Sequence, residues 1–160
     1  MASSLTPSGP FDKIKGSLFF YFMSEKIQKA GAIILSSENK NNIALLYRGR
    51  EKDWSFPKGH VDLGENSTQT MVREMKEETG LTVNVIKPLP DMEYIHSNGN
   101  CISTKMFLVS SNDDTQLRLE LEGDVIMWVS KDEVIEKLSY DNLKNYFRNV
   151  SSIVNSVVTS

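Results

Sequence analysis

One stretch, GHVDLGENSTQTMVREMKEETGL at positions 59–81, constrains this chain more than any other. Within it Glu65, Arg73, Glu74, Glu77 and Glu78 stand between Gly59 and Gly80. The pattern predicts a helix over 67–79, with Asn66 or Ser67 to cap its start, Val72 and Met75 as its apolar positions and Gly80 as its stop. At about 100° per residue, Glu77 falls roughly 60° to one side of Glu74 and Glu78 roughly 40° to the other. The three carboxylates are therefore expected on one face, opposite the apolar one. Like charges at i, i+3 and i+4 repel. Either water solvates this face, or a hard divalent cation sits among the oxygens together with substrate phosphates.

The wider spacing favours the cation. Positions 59–81 fit G-x5-E-x7-R-E-U-x-E-E-x-G-U, with U apolar, at every fixed position. Seven identities at ordinary residue usage make a chance match on the order of one in 10^8 per start. The stretch resembles the Nudix box. That resemblance implies an α+β fold, an α/β/α sandwich with a mixed β-sheet, and hydrolysis of nucleoside diphosphates linked to another moiety by water attack on phosphorus. It implies Glu74, Glu77 and Glu78 as metal-binding glutamates, with Glu74 the general base in some members. Arg73 positions a glutamate, Glu65 supports the site between Gly59 and Gly80, and the Lys58 carbonyl offers a further ligand. Mg²⁺ is the expected ion, and the same oxygens accept Mn²⁺. Many members take another acid from beyond the box, for which Glu122 is the candidate and Glu120 the runner-up.

Composition narrows the partners. The chain has 160 residues and a net charge of −3, which argues against general nucleic-acid binding, since that rests on clustered Lys and Arg. A nucleotide must be attracted by local cations and bound metal. No run approaches the ~18 apolar residues that span a bilayer, and one cysteine, Cys101, excludes an internal disulfide. The expectations are a small-molecule nucleotide substrate, no membrane, a cytoplasmic location, and a monomer or homodimer. Residues 1–24 read as an N-terminal tail or partly ordered extension, and 25–160 as one domain.

The remaining pattern surrounds the box. AGAIILSS (30–37) and NIALLYR (42–48) read as adjacent core strands that present a loop, 49–60. Arg48, Arg50 and Lys58 are candidate phosphate contacts there. Trp54 either packs beneath the loop or stacks on a base. WSFPKGH (54–60) is similar to the lead-in of dinucleoside polyphosphate hydrolases and of relatives acting on inositol polyphosphates or oxidised nucleotides. Further strands are expected at 81–86, 92–96, 101–110 and 125–130, with an Asn-Gly hairpin at 98–99. Residues 117–124 read as an edge strand or loop margin. Tyr94 and His96 are candidate nucleotide contacts. Ser130 and Glu133 suggest a capping box for a helix at 131–139. A last helix from Asp141 carries an apolar stripe of Leu143, Tyr146, Phe147 and Val150, suited to a core or a dimer face. The leading reading is a Mg²⁺-dependent pyrophosphohydrolase acting on diadenosine tetraphosphate or another dinucleoside polyphosphate. The alternatives are oxidised nucleoside triphosphates, RNA 5′ ends, or a sensing module that binds without cleaving.

Overall fold

A computed structural model describes residues 26–119 and 121–157. Expectations for residues 1–24 and for Glu120 lie outside the described residues. The strands are β1 (Lys26–Leu35), β2 (Asn42–Arg48), β3 (Asp53–Ser55), β4 (Lys58–His60), β5 (Val83–Pro88), β6 (Met92–Ile95), β7 (Cys101–Ser111) and β8 (Val125–Ser130). The helices are α1 (Ser67–Thr79), α2 (Lys131–Lys137) and α3 (Asp141–Ser156).

Strand β1 is the spine. It runs parallel to β7 from Lys26↔Cys101 to Leu35↔Ser110 and antiparallel to β2 and β4. The sheet order is β3-β2-β1-β7-β5, with β8 on β2 and β6 on β7, so the sheet is mixed as expected. Side chains alternate across β1 because the strand period is two. Ala30, Ala32 and Ile34 join Met71, Met75 and Leu81 under α1. Ile33 and Leu35 face the other way, into a core with Phe56, Val134, Phe147 and Val150 from the side of α2 and α3. Helices on both faces of one sheet make the α/β/α sandwich. The stripe on α3 is core: Leu143, Tyr146, Phe147, Val150 and Val154 are buried.

Several local expectations need correction. The stretch 49–60 contains the short strands β3 and β4 rather than only loop. Gly31 explains how β4 fits: a Cβ there would come within 2.7 Å of the Lys58 Cβ and 2.8 Å of the Pro57 carbonyl. Without that Cβ, the chain entering the box can lie directly on β1. On α1 the buried residue is Met71, not Val72, which is exposed. With Met71 and Met75 facing the sheet, Glu78 falls about 20° and Glu74 about 60° from Met71 around the helix. These carboxylates border the buried face instead of opposing it. Ser130 precedes α2 but makes no side-chain cap. Of the two readings of 117–124 the loop margin holds: 117–119 have no regular structure and 121–123 make a bend and a turn.

Candidate active site

Local sequence fixes both ends of α1. The Asn66 side chain accepts from the Gln69 N–H at 2.9 Å while the Gln69 side chain accepts from the Asn66 N–H at 3.0 Å, a reciprocal cap. Gly80 ends the helix at φ 76°, a left-handed angle that suits glycine, and donates to the Lys76 carbonyl. A helix held at both ends presents its polar edge to β4 and the 61–66 loop.

Arg73 organises that edge. Its Nε donates to Glu65 Oε1 at 2.8 Å and its Nη2 to Glu65 Oε2 at 3.0 Å, a forked pair. Its Nη1 donates to Glu74 at 2.9 Å and to Glu77 at 3.1 Å, and Nη2 also reaches the His60 carbonyl at 3.1 Å. Thr70 adds a hydroxyl bond to Glu65. The Arg73 bonds, with Thr70 second, hold the Glu65 carboxyl at about 2, well below the usual range. The same pairing raises Arg73 above an already high value.

The other two glutamates meet β4. Glu78 accepts from the Lys58 backbone N–H at 2.9 Å. A Cβ at Gly59 would fall inside the Glu74 carboxylate, so that position must be glycine for Glu74 to lie across the strand. Burial, with Lys29 and Arg48 nearby, pushes the Lys58 amine down to about 8. Lys29 is lowered by burial and by Arg48, against the pull of Glu78 and Glu74.

Three openings adjoin this edge. A cavity of about 370 Å³ is lined by Arg48, Lys58, Tyr94, His96, Tyr140 and neighbours. A second, of about 190 Å³, is lined by Arg48, Arg50, Glu51, Glu78, Leu121 and Asp124. A narrow cleft carries Lys29, Arg48, Lys58 and Glu78. Five of the residues singled out for substrate contact (Arg48, Arg50, Lys58, Tyr94 and His96) thus line these openings. Trp54 does not. Its ring packs on Tyr47 at 5.2 Å, carries Lys137 Nζ 4.3 Å above its centre, and rests against the α3-side core. Glu122 is exposed and lines none of the three, whereas Asp124 lines the second and accepts from the Gly49 N–H at 2.9 Å. The sequence reading also missed Asp53 and Tyr140. No local signal marked either, because the three residues of β3 carry no period and Tyr140 meets Asp53 across 87 positions.

A Nudix domain model matches residues 26–149, most of the chain. The chain belongs to the Nudix family. Among its relatives, the m7GpppN-mRNA hydrolase of Saccharomyces cerevisiae is 33% identical over 131 residues, 78% of this chain and 13% of that protein. The asymmetrical bis(5′-nucleosyl)-tetraphosphatase of Rattus norvegicus is 32% identical over 98 residues, covering 57% of this chain and 65% of that one. The chain therefore spans less than two thirds of the length of either. The solved structure of a C. elegans Ap4A hydrolase binary complex superposes with a TM-score of 0.71 at 26% identity, over 81% of this chain and 98% of that one.

Nudix hydrolases generally use divalent metal ions. Among the described residues, no three His, Cys, Asp or Glu side chains already converge as a metal cluster. What α1 and β4 provide is an open edge of carboxylate and backbone oxygens, with Glu74 pressed against a glycine and Glu77 half exposed. An oxygen-only, incomplete donor set fits a hard divalent cation whose remaining ligands are water and substrate phosphate. No helix among the described residues is long and apolar enough to cross a membrane.

Proposed function

We propose that this Nudix protein is a Mg²⁺-dependent pyrophosphohydrolase that cleaves a phosphoanhydride bond in a nucleoside diphosphate-linked substrate, preferentially a dinucleoside polyphosphate such as diadenosine tetraphosphate. The observation that carries this reading is the cationic cleft of Lys29, Arg48 and Lys58, which shares Arg48 with both larger cavities and Glu78 with one. A polyphosphate chain laid along the cleft reaches the carboxylate edge of α1. One nucleoside end then enters the cavity with Tyr94, His96 and Tyr140, whose rings suit a base, and the other end leaves past Arg50 and Asp124.

Glu74, Glu77 and Glu78 would hold the ion, with the Lys58 carbonyl as a further donor. Bound there, the metal neutralises phosphate charge and makes a water more acidic. Arg73 keeps Glu74 and Glu77 oriented through the paired bonds of its Nη1, and a carboxylate not engaged by metal accepts the proton of the attacking water. The names of the rat and nematode relatives support a dinucleoside tetraphosphate. The yeast mRNA hydrolase favours a second reading, a capped RNA 5′ end. Against long RNA stands the net charge of −3.

The test is turnover of diadenosine tetraphosphate, a capped RNA and oxidised nucleoside triphosphates, with Mg²⁺ or EDTA, with products resolved by chromatography. Metal-dependent cleavage of the dinucleotide into an asymmetric product pair, reduced at least about a hundredfold by Glu77→Gln, is expected. Binding without product across the panel would instead make the domain a sensor.

A further inference from the structure

Arg48 touches all three openings, yet nothing in the box holds it there. Its anchor comes from β3. Arg48 Nε donates to Asp53 Oδ1 at 2.8 Å and Nη2 to Asp53 Oδ2 at 2.6 Å, across the Arg48↔Asp53 register pair of β2 and β3. Tyr140, the residue just before α3, donates its hydroxyl to the same Oδ2 at 2.7 Å and lines the 370 Å³ cavity. The Asp53 side chain is 3% exposed while that of Arg48 is 36% exposed. The carboxylate is thus inside the fold and the guanidinium reaches the openings.

We infer that Asp53, steadied by Tyr140, is a positioning residue that fixes Arg48 as a clamp for the polyphosphate chain between the two nucleoside cavities. This rests on the nucleotide reading above and adds to it the residues that set the clamp. Arg48 spends two of its five N–H donors on Asp53, leaving three directed elsewhere. A guanidinium gripped by both oxygens of a buried carboxylate loses little further freedom when it meets phosphate, so more of each hydrogen bond survives as affinity. Burial pushes the Asp53 carboxyl up, but the bonds from Arg48 and Tyr140 outweigh it, and the group stays ionised. The link through Tyr140 also ties the clamp to the cavity wall contributed by the start of α3.

The experiment is calorimetric titration with inorganic tripolyphosphate in EDTA, so that neither metal nor turnover enters. Wild type, Arg48→Ala, Asp53→Asn, Tyr140→Phe and the Arg48→Ala/Asp53→Asn double variant are compared. Arg48→Ala and Asp53→Asn are each expected to weaken binding about tenfold, the scale of one charge-assisted hydrogen bond, with the double variant no weaker than Arg48→Ala. Tyr140→Phe removes one bond without stranding a buried charge, and it is expected to weaken binding two- to threefold with its melting temperature nearly kept. Additive losses in the double variant, wild-type affinity in both Asp53→Asn and Tyr140→Phe, or no tripolyphosphate binding by wild type would each overturn the clamp. Turnover of diadenosine tetraphosphate by wild type, measured separately, reports on the nucleotide reading itself.

Discussion

Lys58 carries both a backbone donor to Glu78 and an amine in the cationic cleft, and burial holds that amine at about 8. In the unfolded chain the same group titrates near 10.5. Below 8 both states are charged and the folded state bears the full desolvation cost. Between 8 and 10.5 the unfolded chain binds more protons, so stability rises with pH across that window. The gain is on the order of 1–3 kcal/mol, from 1.36 kcal/mol per unit. Urea unfolding of Lys58→Met in EDTA should show a flatter rise from pH 8 to 10 than wild type, and parallel curves would refute this assignment. Gly59 makes a different demand. Its Cβ would displace the Glu74 carboxylate, so Gly59→Ala should lower kcat at least about a hundredfold, as misplacing a catalytic group does, and an unchanged kcat would show that Glu74 can move aside.

At the level of elements, α1 was legible because its signals are local. Asn66 caps it, Gly80 stops it, and the interval between them sets its length. Which face it buries was less legible, because Val72 and Met71 are both apolar and only the sheet decides between them. The small residues Ala30 and Ala32 on β1 admit Met71 and Met75, and the helix turns accordingly. A pair of substitutions separates the two: Met71→Ala should cost about 2–4 kcal/mol and Val72→Ala under about 1. Equal losses in chemical denaturation would return Val72 to the core. Asn66→Ala should cost about 1 kcal/mol through the lost cap. Strands β3 and β4 escaped the sequence reading because three residues carry no usable period. The pairing of β4 depends on Gly31, twenty-seven positions before Lys58 in the chain. The Asp53–Tyr140 contact joins residues 87 apart, beyond the reach of any local pattern.

Across the whole molecule, the sandwich places an acidic helix edge on one side of β1 and the wall from α3 on the other, with Arg48 at the junction. The box could be read without a structure because its residues sit within one helix and its entry. The surface lining the openings is assembled from β2, β4, β6 and the start of α3; Arg48, Lys58, Tyr94 and His96 could be named from the sequence, but Tyr140 and the arrangement of all five could not. Gathering Glu74, Glu77 and Glu78 along one edge sets like charges together, and in the metal-free protein Arg73, Lys29 and Lys58 are the cations that face them. A divalent cation that binds the folded state and not the unfolded one must therefore raise the melting temperature. At a hundredfold excess over Kd, mass action contributes about 2.7 kcal/mol, or about 5–10 °C for a chain of this length. Scanning fluorimetry with Mg²⁺, Mn²⁺ or EDTA should show this rise in wild type. The triple variant Glu74→Gln/Glu77→Gln/Glu78→Gln should gain under about 1 °C from either ion. An equal metal-dependent gain in both proteins would place the cation elsewhere and remove the carboxylate edge from the chemistry.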